Sequence, residues 1–391
     1  MRKAHEVKIN LVLPHQLPFP PEKGGGVENL NWLLAKEFSR LGHAVTAYSR
    51  SFPHLAKEET DAHGIQHVRV RGYDRRPNRW VDHAFGLAYM TNIRKVIRRA
   101  DLTSSHTPFS FLLPFGKENK GVYTHTIHRT PKWYVPFYSR LPRVYCGSDA
   151  VVKQALAIYP RMKNLKRVYN CVDIDADFLA PQRAKAAGLH FLYVGRFVRD
   201  KGLESLIRGF RSALRDYPLA RLTTVGPQQE NEGGDQRFFA GMSGLVERSG
   251  MQSSIRFLPP IYQRERLEEL ISSADVICVP SLGGETFSMA VLEAMALSKP
   301  VLVSDFGPMV EAVDHKVSGY IASAGDADSL AQGIRYFSAE PGLAERMGRA
   351  ALAKAAECFS VEKIAAEYLS DFGALSGAGV YVSKSEPQPQ I

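Results

Sequence analysis

Two glutamates, Glu285 and Glu293, stand eight positions apart in the stretch from Gly283 to Glu293 (GGETFSMAVLE) of this 391-residue chain. The stretch follows a predicted strand that ends at Pro280. Phe287 to Leu297 reads as a helix, with Thr286 or Ser288 placed to cap its start. A helix that starts at the carboxyl end of a parallel strand turns its free N–H groups and its dipole toward an anion. If both glutamates were helical they would lie about 12 Å apart along the axis, on a similar side, at roughly 1.5 Å per residue. Paired carboxylates that cleave a glycosidic bond sit closer, about 5–9.5 Å apart. A wider pair with an anion site between suits one extended ligand that carries hydroxyls at both ends, such as a nucleotide sugar. The competing reading is structural: Glu285 caps a helix and Glu293 lies on a solvated face.

A second group runs from Tyr193 to Gly202 (YVGRFVRDKG) and joins a predicted strand to a predicted helix. Gly195 would let the backbone approach a ligand. Arg196 can grip phosphate oxygens with two N–H groups, and Lys201 adds a compact charge. Two fixed cations can neutralise a leaving diphosphate without a metal. A third group, Lys23-Gly24-Gly25-Gly26-Val27-Glu28, links the first strand to the first helix, Val27–Leu41. Its glycines fail the last position of G-x-G-x-x-G, which disfavours a nicotinamide dehydrogenase. Its consecutive amides could still cradle a phosphate or a sugar. His125 falls near a strand end, where a lone histidine is usually a satisfied core or loop residue. No H-E-x-x-H or similar spacing points to a metal.

These groups need a frame to hold them. Short apolar runs, Val7–Leu13, Ala44–Ser49, Val122–His125 and Val144–Gly147, predict strands in the first half. In the second half they are Leu189–Gly195, Arg221–Gly226, Ile255–Leu258, Asp275–Pro280 and Pro300–Ser304. Helical spacing at Gly202–Leu214 and Arg264–Ser273 separates them. Such alternation predicts an α/β protein with parallel sheets. The polar segment 170–187 sets a boundary between two domains, 1–180 and 181–358. A terminal helix follows at 359–373, and residues 374–391 read as a disordered tail.

Charge divides unevenly. Residues 1–180 hold 28 Lys and Arg against 15 Asp and Glu; the rest hold 22 against 25. Excess positive charge in the first part suggests an anionic partner for it. Arg94 and Arg98, and Lys95 and Arg99, are like-charged i,i+4 pairs, which weaken a helix; with no membrane span, they suggest an anionic membrane surface as the partner. Phe85, Tyr89, Ile93 and Val96 would face the core behind them. No helix-turn-helix, RNA-recognition or zinc-finger pattern supports nucleic acid. Four scattered cysteines exclude a disulfide scaffold and suit a reducing compartment. The N-terminal apolar stretch is too short for a signal peptide, so a cytoplasmic location is expected.

Taken together the residues resemble the retaining glycosyltransferases of family 4, over about residues 7–372. The resemblance implies the GT-B fold: two Rossmann-like α/β domains with parallel sheets facing a central cleft, the second binding the nucleotide and the first most of the acceptor. Glu285 and Glu293 match the family's Glu-x7-Glu signature, which implies that the first contacts the transferred sugar and the second the ribose. Gly195-Arg196 and Lys201-Gly202 match its diphosphate-binding pair. Gly25 and Gly26 match its glycine loop, and His125 its histidine near the donor sugar. Ser148 follows a strand as the family's serine does, and Asn170-x-Val172-Asp173 matches its interdomain signature. The implied catalytic set is Glu285, Arg196, Lys201 and His125. The implied donor contacts add Gly25, Gly26, Gly195, Thr286, Phe287, Ser288, Met289 and Glu293. The expected partners are a UDP- or GDP-sugar donor, as co-substrate rather than cofactor, and a glycan or glycolipid acceptor; no metal and no nucleic acid are expected. Cys171, Ser288 and the Gly226-Pro-Gln-Gln turn depart from the family's usual glycines. The competing functions are a soluble enzyme acting on a small metabolite, a non-catalytic nucleotide-sugar-binding protein, and an epimerase, for which no acid/base pair stands out.

Overall fold

A computed structural model describes residues 6–22, 24–74, 79–115, 121–174 and 188–377. Contacts divide the chain into two compact units. Unit 1 comprises Met1–Gly147, Val151–Cys171 and Val361–Ile391, and unit 2 comprises Ser148–Ala150 and Val172–Ser360. Apart from the three residues Ser148–Ala150, the chain passes into unit 2 at Cys171–Val172 and returns at Ser360–Val361. The boundary expected at 180/181 lies outside the described residues, as does most of the expected tail.

Unit 1 is built from β1 (Lys8–Val12), α1 (Gly26–Arg40), β2 (Ala44–Arg50), β3 (Glu58–Thr60), β4 (Gln66–Val70), α2 (Arg79–Val96), β5 (Leu102–Ser105), β6 (Val122–Ile127), β7 (Arg143–Cys146), α3 (Asp149–Ile158) and β8 (Leu165–Arg167). Its sheet runs β3-β4-β2-β1-β5-β6-β7-β8, and only the short β3 pairs antiparallel, with β4. The right-handed crossover preference makes such a sheet grow outward in two directions from its first strand. Here the order reverses between β1 and β5.

Unit 2 contains β9 (His190–Val194), α4 (Leu203–Ala213), β10 (Arg221–Val225), α5 (Gln236–Arg248), β11 (Ile255–Leu258), α6 (Arg264–Ser273), β12 (Val276–Val279), α7 (Met289–Ala296), β13 (Val301–Ser304), α8 (Pro308–Ala312), β14 (Gly319–Ala322), α9 (Ala327–Ala339) and α10 (Leu343–Phe359). Its strands are ordered β11-β10-β9-β12-β13-β14, parallel throughout. β12 is buried at every position, which explains its unbroken apolar run. The reversal falls between β9 and β12.

The last helix, α11 (Val361–Ser376), belongs to unit 1 and extends past Phe372. Its Asp371 anchors it to the far edge of the sheet: Arg143 donates to the carboxylate at 2.8 Å, Lys166 at 3.0 Å and the Tyr145 hydroxyl at 2.9 Å. Burial would raise the Asp371 pKa, but these three donors outweigh it and hold the carboxyl below its usual range.

The basic group on α2 differs from expectation. The helix ends at Val96, so Arg98 and Arg99 lie beyond it and the like-charged i,i+4 pairs do not form. Arg98 instead reaches Glu58 at 2.9 Å, and its backbone N–H donates to the Tyr48 hydroxyl. Tyr89 and Ile93 are buried, but Val96 is exposed because the chain is already leaving the helix there. Among those described, no helix is long and apolar enough to cross a membrane.

Candidate active site

In parallel α/β sheets ligands bind outside the carboxyl ends of the strands, where the strand order reverses. In unit 2 that point is flanked by the β9–α4 and β12–α7 connections, the two segments that carry Arg196, Lys201 and Glu285. The two connections are laced together. The Leu282 amide donates to the Asp200 carbonyl at 2.8 Å. Gly202 has a φ of 71°, and a Cβ there would lie 1.9 Å from the Pro280 carbonyl oxygen. Only glycine meets both conditions.

Across this seam Lys201 Nζ contacts the Glu285 carboxylate. Both side chains keep about a sixth of their surface exposed. Ser281 Oγ donates to the same Glu285 oxygen at 3.2 Å, and the Ser304 hydroxyl on β13 donates to the Ser281 carbonyl. The carboxylate is therefore held by two groups, one from the connection after β9 and one from the connection after β12, and the second of these is itself tied to β13. Ser281 was not singled out from the sequence; its position one residue beyond Pro280 is the only signal for it.

Arg196 is exposed, and its Nη1 donates to the Gly233 carbonyl at 2.9 Å. The Tyr193 hydroxyl fixes the turn by donating to the Arg196 carbonyl at 2.9 Å. Gly195 continues the strand pairing through its amide, which donates to the Val225 carbonyl. The helix after Glu285 begins at Met289, with Ser288 as N-cap residue and no side-chain cap bond. Glu285 is thus not helical, and the 12 Å spacing expected for two helical glutamates does not apply. Thr286 and Ser288 are buried, and Phe287 packs its ring against Phe359 at 5.3 Å. Phe287 and its neighbours can therefore offer backbone N–H groups at the α7 start, while the Phe287 ring serves the core.

Glu293 lies in the second turn of α7 and is half-buried. Desolvation pushes its pKa up to about 7, against the attraction of Arg264 and with a further rise from Glu268. Arg264, at the start of α6, was absent from the sequence-predicted set. Its Nε donates to Glu268 at 2.6 Å, and it is the cation that faces Glu293.

The remaining expected residues lie in unit 1. Gly24 and Gly25 have φ values of 76° and 104°, and Gly26 opens α1. A Cβ on Gly25 would approach a Glu28 carboxylate oxygen to 2.4 Å. Glu28 is buried, and burial raises its pKa to about 6, opposed by its own backbone amide and by Arg129. The Gly-Gly-Gly-Val-Glu run at a helix start was the available signal for this carboxyl. His125 is buried in β6. Its Nδ1 is 2.9 Å from Ser110 Oγ, its ring lies 4.1 Å from that of Tyr138, and it also bonds the Ser105 backbone. Burial, helped by His128, pushes its pKa down to about 3. His106 Nδ1 and His128 Nε2 are 2.7 Å apart. Burial is also the main cause of the lowered pKa of both, with His128 at about 3. His125 is accordingly a neutral, fully engaged member of a buried histidine group.

The profile of the family "Glycosyl transferases group 1" matches residues 179–354, and that of "Glycosyltransferase Family 4" matches residues 24–176. The D-inositol 3-phosphate glycosyltransferase of Streptomyces avermitilis is 33% identical over 169 residues, which are 43% of this chain and 36% of that protein. An uncharacterized glycosyltransferase of Methanocaldococcus jannaschii is 32% identical over 176 residues, 45% and 42% of the two chains. The match thus spans well under half the length of either relative. Among solved structures, a glycosyltransferase from Rickettsia africae aligns with a TM-score of 0.74 at 19% identity, over 95% of this chain and 98% of that one. The Anabaena protein HepE, solved in complex with UDP, aligns at 0.71 and 18% identity, over 94% and 100% of the two chains. Both structures share the GT-B arrangement of two Rossmann-like α/β units. With its two profiles matching in succession along most of its length, the chain belongs to the group 1, family 4 glycosyltransferases.

Proposed function

We propose that this protein is a retaining glycosyltransferase that moves a sugar from a UDP- or GDP-sugar to a hydroxyl of a glycan or glycolipid acceptor, in the building of an envelope or exported polysaccharide. The observation that carries this reading is the Lys201–Glu285 contact at the point where unit 2's strand order reverses. An ammonium has three donors, so Lys201 can hold Glu285 and still donate to a phosphate oxygen. Glu285 accepts from hydroxyls of the transferred sugar, and Glu293 from the ribose. Gly195 and the amides from Thr286 to Met289 line the diphosphate.

As the bond between the sugar's anomeric carbon and the phosphate oxygen lengthens, positive charge builds on the sugar and negative charge on the diphosphate. Lys201, Arg196 and the start of α7 stabilise that negative charge, and fixed donors of this kind typically lower a barrier by several kcal/mol. The acceptor oxygen attacks from the leaving-group face. Its proton passes to a diphosphate oxygen, the new glycosidic bond keeps the original configuration, and the nucleoside diphosphate departs. The cations make a divalent ion unnecessary in this scheme. His125 acts as a neutral positioning residue in unit 1. Lys95 and Arg99 are candidates for an anionic membrane surface at about 1 kcal/mol each, with Arg98 engaged by Glu58.

A thermal-shift series with UDP, GDP, ADP and dTDP tests the donor assignment. Saturation at about a hundredfold over Kd raises stability by about 2.7 kcal/mol. One or more of the first two should stabilise unit 2, and product formation should survive EDTA. No stabilisation by any nucleotide, or strict dependence on a divalent ion, would sink the reading.

A further inference from the structure

We infer that the connection from β6 to β7 is an acceptor subsite that selects an anionic saccharide, with Trp133 as the ring platform and Lys132 and Arg140 as the charge readers. The inference rests on the glycosyltransferase reading for its purpose but on unit 1 alone for its geometry. The connection leaves β6 at its carboxyl end, the edge of a parallel sheet where ligands bind. Between Glu118 and Asp149 the sequence has no acidic residue. Arg129, Lys132 and Arg140 are all exposed, and none has a carboxylate partner within ion-pair range among the described residues. Three unneutralised cations on one connection are a field looking for an anion.

The apolar side of the connection is aromatic. Trp133 keeps 55% of its surface exposed and Phe137 44%, large values for residues that otherwise favour burial. They are held rigidly. Trp133 meets His83 edge-on at 6.0 Å and Phe137 at 6.2 Å, and Phe137 stacks on Phe111 at 5.0 Å. Tyr134, Val135 and Tyr138 of the same segment are buried and fix it to the core. The negative face of an aromatic ring attracts the polarised C–H groups of a pyranose, while cations one residue before Trp133 and three after Phe137 read a carboxylate or phosphate on that sugar. The subsite also leads inward. Arg129 acts electrostatically on Glu28, His128 and His15, the titratable groups around the reversal of unit 1's strand order.

Tryptophan-fluorescence titration of the full chain with tetragalacturonate and with maltotetraose tests the inference. The acidic tetrasaccharide should bind at least about tenfold more tightly, a margin of roughly 1.4 kcal/mol, and high salt should reduce that preference. Trp133→Leu, followed by calorimetric titration, should weaken both sugars about tenfold. Lys132→Gln with Arg140→Gln should remove the acidic preference and leave the weak neutral binding. Circular dichroism melting checks that the variants fold, and Trp133→Tyr should restore binding in part. Equal affinity for the two sugars, or variants that leave both affinities unchanged, overturns the subsite. So does loss of binding to phosphatidylglycerol vesicles in these variants with no sugar selectivity in the wild type, which reassigns the patch to lipid. The nucleotide thermal shifts, measured on the same samples, report separately on the glycosyltransferase reading: their absence would sink that reading without altering the saccharide result.

Discussion

The two units present opposite electrostatics at equivalent places. Unit 2 lies in the part of the chain with slightly more acids than bases, yet it gathers an ion pair and an exposed arginine where its strand order reverses. Unit 1 lies in the strongly basic part, yet the titratable groups beside its own reversal are buried and carry no positive charge: burial lowers the pKa of the histidine group and keeps it neutral, and it raises that of the Glu28 carboxyl to about 6. Net charge describes a solvated surface, and side chains at a site answer to burial and to their partners. In unit 1 the connection 128–142 carries its cations Arg129, Lys132 and Arg140 exposed, whereas in unit 2 Arg196 and Lys201 sit on the connection beside the strand-order reversal.

The sharpest way to break this comparison is to remove the carboxylate of unit 2. Glu285→Gln should reduce transfer on the order of a thousandfold and leave nucleotide affinity nearly intact, as read from single-turnover rates beside calorimetric titrations. Retention of most of the wild-type kcat would remove Glu285 from the reacting sugar.

Lys201→Met comes next. Loss of a charge-assisted contact of about 1.5–3 kcal/mol corresponds to roughly ten- to a hundredfold in rate. The substitution also leaves Glu285 without its cation, so Lys201→Arg should recover part of the rate. A Met variant as fast as wild type would show that the pair is only structural.

Acid should separate the units. His106, His125 and His128 have folded pKa values lowered from 6.5, so the unfolded chain binds protons that the folded unit 1 refuses. Their contribution is present above pH 6.5 and is lost progressively as pH falls toward about 3. Glu28 in unit 1 and Glu293 in unit 2 act with the reverse sign. Their folded pKa values are raised, to about 6 and about 7, so stability gained from each is full below 4.5 and is lost as pH rises through those values. Three histidines outweigh one glutamate in unit 1. Hydrogen exchange between pH 6.5 and 5 should show protection falling in β5 and β6 by more than about tenfold per pH unit relative to β9 and β12, since each unmatched proton is worth a factor of ten per unit. Parallel loss in both units would contradict the assignment.

The smallest effect sharpens the picture within unit 2. Glu293→Gln removes a carboxyl that is costly to ionise, so the variant's stability advantage should grow from pH 4.5 to about 7 and then level off. Nucleotide affinity should meanwhile fall several-fold, up to about tenfold, because the ribose loses a charged acceptor. Melting curves and titrations at several pH values check both halves; unchanged affinity would detach Glu293 from the ribose.

Much of the frame was legible in the sequence because it depends on period and composition. β12 announces itself as Val276-Ile-Cys-Val279, buried on both faces, and α6 begins and ends at the predicted residues. The strands missed were those whose residues do not look buried. β5 reads Leu-Thr-Ser-Ser and is nonetheless buried at every position between β1 and β6, where the sheet ladder satisfies its backbone and small hydroxyls fit the core. β4, β8 and β14 are similarly short or polar.

The amino-acid sequence by itself determined the α/β alternation, the order of the glycine-rich and basic connections, and which residue types were available for chemistry, since these follow from side-chain period, turn residues and local spacing. Tertiary structure alone decided which of those residues meet. Lys201 and Glu285 are 84 positions apart and come together because β9 and β12 pair side by side. Glu285 and Glu293, only eight apart, are separated in role by a helix that starts between them at Met289. His125 was legible as a histidine near a strand end, but its neutrality comes from the burial that the fold imposes, helped by His128 brought beside it, while Ser110 and Tyr138 pack against its ring. Local spacing sets the elements; long-range pairing and burial set the charge state and partner of every group at the site.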